Sequence, residues 1–297
     1  MEQTISPRQL RRWFGRVALT LLITFVVSQA LSYLSVQIWM TFVGWTNYTI
    51  LMFLNDFCVY VPSILLIPLL LRSLPQQPPA PVNPLSGQEK FLAVVFSLGS
   101  GYLFSYVTLA LIHVLEGFVG QSSGNAVSAM ESALPPVTAI LTFVVVAPIA
   151  EEFIFRRLLL DRVRIFGDGA AILIGGLFHG NLNQTLYAFV LGAVFSAIVL
   201  LTNRLRYTIG IHMLINGISV LTTLVESDLL DYLLACVILF SICFSVVLFF
   251  VRRKHYTLEP GPLPFSRAEK AHACFTSPWV WILLVGGLAY SGVSIFL

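Results

Sequence analysis

Nine stretches of this chain are apolar over lengths that matter to a bilayer: 15–40, 49–71, 91–115, 136–155, 168–182, 185–203, 207–225, 230–251 and 278–297. A hydrocarbon core about 30 Å thick takes about 20 helical residues to cross. No water is available inside it to satisfy backbone N–H and C=O groups, so segments of this kind pair those groups internally, as helices. The expected fold is all-α: a polytopic transmembrane helical bundle of about eight or nine spans, with the crossing of the last segment left open. Composition agrees, with 57% hydrophobic residues, 10% charged residues and a mean hydropathy of +0.87. The net charge of +3 is small, and the basic residues fall between apolar runs rather than on one face. That argues against nucleic acid as a partner and leaves the lipid bilayer as the first one.

The basic residues report topology instead. Arg8, Arg11, Arg12 and Arg16 precede the first run, Arg72 and Lys90 flank the second linker, and Arg156, Arg157, Arg162 and Arg164 follow the fourth. Arg204 and Arg206 follow the sixth run and Arg252, Arg253 and Lys254 the eighth, whereas the alternate linkers carry acids such as Glu116, Glu131, Glu226 and Asp228. The positive-inside rule then sets the amino terminus in the cytoplasm. The opening RRWFGRVALTLLITFVVSQA imitates a secretory signal up to Ala30, but apolar character continues to Trp39, so an uncleaved first span is expected. Short connections and no large soluble domain suggest a multi-pass protein of a bacterial plasma membrane.

Three regions are expected: N-terminal spans over 1–130, a core over 131–226 and C-terminal spans over 227–297. SLPQQPPAPVNPLSG is a proline-rich linker that cannot continue a helix, GQSSGNAVSAMESALPP is a flexible or surface-lying connection, and EPGPLPFSRAEK precedes the last run. No internal repeat is visible. Cys58, Cys236, Cys243 and Cys274 lack CxxC spacing, and three of them lie in apolar runs, where thiols pack as small hydrophobes.

Against this background the acids stand out. Glu151 and Glu152 sit side by side in the run from Pro135 to Leu160, where a charge costs at least a few kcal/mol and needs a reason. On a helix, Glu152 and Arg156 are four residues apart on one face, while Glu151 is turned about 100° away toward a different neighbour. Arg156 can neutralise Glu152, which leaves Glu151 free to face a cavity and act on water. The plainer alternative is a salt-bridge network of both acids with Arg156 and Arg157 that only anchors the helix end.

Two further runs carry polar groups. His179 lies about eleven residues after Asp168, or ~16 Å along a helix, near the bilayer middle. Asn181, Asn183 and Gln184 follow it, and Gly176 and Gly180 have the small-xxx-small spacing of close helix packing. His212 and Asn216 are again four apart, so both can donate to one oxygen beside their shared face, as in an oxyanion hole. Each group taken alone also suits interhelical hydrogen bonding, and convergence of all three is what would make a catalytic cavity.

In order, EExxxR at Glu151, Glu152 and Arg156, a histidine span, and HxxxN at His212 and Asn216 resemble the CPBP, or Abi, family of intramembrane proteases. That family includes type II CAAX prenyl endopeptidases and bacterial proteins linked to bacteriocin processing and self-immunity. The resemblance runs from about Pro136 to Val225 and takes in HGNLNQTLYAFVLGAV. It implies a glutamic endopeptidase acting on a prenylated, leader-bearing or membrane-associated peptide. Glu151 would activate water, His179 would help hold it and pass protons, and His212 and Asn216 would receive the oxyanion. Glu152 and Arg156 would support the site, and no cofactor is implied. The family's FxxxH reads GxxxH here, with Gly175 four residues before His179. A zinc variant with Glu151, His179 and His212 as ligands is chemically possible, but the chain lacks HExxH and the metal-free mechanism ranks higher.

Two other function classes remain at this level. Asp56, Glu151 and His179 could relay protons or ions in a transporter, or the motif residues could survive for packing in a non-catalytic immunity or scaffold protein. Nothing in the sequence selects the substrate or the oligomeric state.

Overall fold

Side-chain caps start five of the helices. Ser6, Asn47, Ser86, Ser227 and Ser266 each accept a backbone N–H from the first turn of the helix they precede, and Glu89 and Glu269 complete reciprocal capping boxes. In the computed structural model, described over residues 5–77, 81–120, 132–176, 182–253 and 257–296, every regular element is helical. The chain runs α1 (Pro7–Phe42), α2 (Tyr48–Leu70), α3 (Gly87–Val119), α4 (Pro136–Phe166), α5 (Asp168–Gly176), α6 (Leu182–Thr202), α7 (Leu205–Leu224), α8 (Asp228–Arg252), α9 (Arg267–Phe275) and α10 (Pro278–Phe296). The expected connection at 121–131 lies outside the described residues.

This is a multi-pass membrane protein, and the expected eight or nine spans are an approximate count. Among the described residues α1, α2, α3, α4, α7 and α8 are long and apolar enough to span, and a seventh span results if α9 and α10, bent by 66° at their junction, count as one. Helix α5 is described over nine residues, and α6 over 21. Many apolar side chains of α8, among them Leu229, Tyr232, Leu233, Leu239 and Phe240, are exposed, as suits a surface facing lipid.

Helix α4 is the axis of the fold and is not a plain α-helix. Pro136–Ala139 is α-helical, Ile140–Val146 is a π-helix, Ala147–Glu152 returns to α, Phe153–Leu159 is again π, and Leu160–Phe166 closes with α and 3-10 turns. Its far end, with Leu159, Leu160, Val163, Ile165 and Phe166, is buried against Leu10, Phe14, Val17 and Leu21 of α1. Leu98 of α3, Leu191, Phe195 and Ile198 of α6 and Ile211 and Ile215 of α7 form a second cluster. Helices α3 and α8 meet at Gly99, where a Cβ would lie 1.9 Å from the Ser241 carbonyl oxygen, so only a residue without a side chain fits. Helix α2 lies against the middle of α4, and α7 against its first π segment. The two acids of α4 are therefore enclosed by α2 on one side and α7 on the other.

Candidate active site

A missing hydrogen bond in α4 explains how α7 is held. In the π segment the Ala147 N–H bonds to Thr142 O, five residues back. The next donor in that ladder would be residue 148, a proline with no N–H, so Phe143 O loses its partner in the helix. Asn216 Nδ2 donates to that carbonyl at 2.8 Å. The bond ties the middle of α7 to α4, and with it the face that carries Thr208, His212 and Asn216 at four-residue spacing.

That face meets the acids. His212 Nδ1 lies 3.2 Å from Glu152 Oε1, and Nε2 lies 3.9 Å from Glu151 Oε2. A carboxylate accepts, so the shorter contact puts a proton on Nδ1. The two acids, expected to serve different neighbours, thus share one imidazole. They point about 100° apart, but the ring stands between those directions and offers a nitrogen to each.

Glu152 is fully buried. Arg156 Nε is 3.4 Å from its Oε2, an ion-pair contact rather than a well-formed hydrogen bond, and buried Thr208 also faces this carboxylate. Arg156 is itself only 3% exposed; its Nη2 donates to Gly192 O at 3.3 Å, and its guanidinium carbon is 5.6 Å from the ring centres of both Phe155 and Phe195. The Phe195 ring is also 5.7 Å from that of His212. Glu151 differs in its access. Its side chain keeps 26% of its surface, and its Oε1 accepts from the Tyr60 hydroxyl of α2 at 3.3 Å. Of two adjacent acids, one is sealed and charge-compensated and the other is reachable.

The pair of donors expected on one oxygen is divided in this arrangement. His212 faces the carboxylates, and one Asn216 N–H is used on Phe143 O, which leaves the second N–H outside that bond. His179 lies outside the described residues, together with Gly180 and Asn181. Among the described residues no group of three or more His, Cys, Asp and Glu side chains is arranged to hold a metal ion. A groove of about 720 Å³ follows Arg8, Arg11, Arg12 and Arg16 on α1 to Trp279, away from the acids.

Gly175, where the resemblance leads one to expect an aromatic, has a packing reason. A Cβ there would come within 2.5 Å of the Ser196 hydroxyl, one at Gly176 within 2.7 Å of Phe189 O, and one at Gly192 within 2.9 Å of the Gly176 Cα. These three glycines let α5 and α6 touch at backbone distance, and that approach brings Gly192 O within reach of Arg156. Gly175→Phe is expected to lower stability by about 1–3 kcal/mol or more through overpacking, and to lower rather than raise activity. Thermal unfolding and turnover measured on the same purified variant check this.

Three groups at this site were not singled out in the sequence. Tyr60 and Thr208 had a signal, each one helical turn from a residue that was weighed, Asp56 and His212. Phe195, an aromatic in an apolar run, had none.

Comparison with known families bears on this region directly. Residues 133–218 match the family described as Type II CAAX prenyl endopeptidase Rce1-like. The matched segment contains Glu151, Glu152, Arg156, His179, His212 and Asn216. It supports an intramembrane endopeptidase role. No curated protein matches the chain, and no solved structure does.

Proposed function

We propose that this chain, which carries an Rce1-like type II CAAX prenyl endopeptidase domain over residues 133–218, hydrolyses peptide bonds at the membrane with Glu151 as the general base. One observation carries this reading: Glu151 keeps a quarter of its side-chain surface while Glu152 beside it has none. The first acid is open to an approaching molecule, and the second is not.

In the reaction Glu151 Oε2 takes a proton from water as the water oxygen bonds to the scissile carbonyl carbon. The carbonyl electron pair moves onto oxygen, and fixed donors receive that charge: the second N–H of Asn216 and, in its doubly protonated form, the Nε2–H of His212. His179 is assigned to holding the water and passing protons. The oxyanion then collapses, the C–N bond breaks, and Glu151 returns its proton to the leaving amine. Glu152 and Arg156 hold His212 through Nδ1, so the ring cannot turn away from the reacting centre. No covalent enzyme intermediate is needed.

The substrate in this proposal is a prenylated or leader-bearing peptide, or another membrane-associated one. The catalytic core is 131–226, with supporting spans over 1–130 and 227–297, in a plasma membrane with the amino terminus cytoplasmic and a bacterial source. Proteomics of liposomes holding wild-type protein or Glu151→Gln tests it, with new peptide termini expected for the wild type alone. Identical termini from two folded proteins would end the endopeptidase reading, and no new termini from either would favour an ion relay or a non-catalytic role.

A further inference from the structure

Helix α2 lies wholly outside the matched segment, yet it supplies the hydrogen bond to the reachable acid. We infer that Tyr60 is a positioning residue for Glu151, its phenol fixing which carboxylate oxygen is free to act on water. The inference rests on the endopeptidase reading above and adds α2 to the catalytic machinery.

A glutamate carboxylate turns readily about its last bond, and its two oxygens are equivalent until something distinguishes them. Here the Tyr60 hydroxyl donates to Oε1 at 3.3 Å, while Oε2 lies on the His212 side, 3.9 Å from Nε2. Held in that way, Glu151 offers Oε2 to the reacting centre at every turnover. Without the phenol the carboxylate can turn, and either oxygen can be drawn to His212.

Tyr60 can do this because α2 is itself anchored. Thr49 at its start is 3.1 Å from Thr138 of α4, Ser32 of α1 donates to Asn55 at 2.7 Å, and Ser28 of α1 donates to Val59 O at 3.3 Å. The helix is bonded to α4 below Tyr60 and to α1 beside it, and its position relative to Glu151 is set from two sides. The Tyr60 ring also packs against the core cluster around the end of α4. Asp56, one turn before Tyr60 on the same helix, is also buried.

Tyr60→Phe removes only the hydroxyl and keeps the ring in the core. Kinetics on a peptide that reproduces the cleavage site found in the liposome comparison are expected to show kcat lowered roughly 10–100-fold, the loss of one hydrogen bond to a charged group. KM should stay within about twofold and the unfolding temperature within about 2 °C. Adding Tyr60→Phe to Glu151→Gln should cost nothing further, because the phenol acts only through that carboxylate. A kcat within about twofold of wild type, or a loss confined to KM or to thermal stability, overturns the assignment. The two failures are distinct: absence of Glu151-dependent termini removes the endopeptidase reading, whereas Glu151-dependent cleavage at full rate in Tyr60→Phe removes only the role of Tyr60.

Discussion

Glu151→Gln is expected to lower the hydrolytic rate by about 10³–10⁴-fold, the upper range for loss of a general base, while the protein stays folded. The carboxamide has the shape of the carboxylate, and its oxygen can still accept from Tyr60 at the position where Oε1 sits. What it cannot do is take a proton from water. The loss belongs in kcat, because the proton transfer is made in the transition state and not in the bound ground state. Glu152→Gln is the informative companion. It weakens the contact with Arg156 and the bond to His212 Nδ1, so it acts on stability and on the orientation of the imidazole, with residual turnover above that of Glu151→Gln. Single-turnover rates and thermal unfolding, measured together on both variants, separate the two roles. If Glu152→Gln were the inactive variant and Glu151→Gln the active one, the general base would be the buried acid and the proposal would be wrong.

Which parts of this arrangement could be read from the sequence follows from how local each one is. The helical class was legible because bilayer thickness and backbone pairing act on any apolar run, whatever its neighbours. The Glu152–Arg156 contact was legible because four residues make one helical turn. The number of spans was legible only approximately, because an apolar run reports composition and not where a helix begins and ends. Tyr60 meets Glu151 across 91 residues, and no periodicity reports a contact between separate helices. The bond from Asn216 to Phe143 O depends on π geometry that leaves a carbonyl opposite a proline. Pro148 was visible in the sequence, but its effect falls on a residue of another helix. The small residue at 175 likewise had a cause that lies across a helix contact, at Ser196.

Arg156 is where the largest change in stability is expected. Arg156→Met leaves Glu152 fully buried with no cation beside it among the described residues except a protonated His212, and breaking a buried pair on one side costs about 3–5 kcal/mol. The methionine fills part of the space but gives up the bond to Gly192 O and the contacts with the Phe155 and Phe195 rings. Arg156→Lys keeps the charge and still loses much of this, because an ammonium is a point charge without the planar fork that bonds Gly192 O and lies against two rings. The double variant Arg156→Met/Glu152→Leu is the decisive comparison. Removing both charges is expected to recover most of the stability lost in Arg156→Met, since an apolar pair of similar volume avoids the desolvation that the ion pair only partly offsets. Arg157→Met is the control: its contact with Asp161 is exposed, at 49% and 36%, so its expected cost is about 0–1 kcal/mol. Denaturation of the four variants in one detergent checks the series. If the stable double variant also lacks turnover while keeping Glu151, then the buried pair is retained for the orientation of His212 rather than for the fold, and the charges at 152 and 156 belong to the reaction.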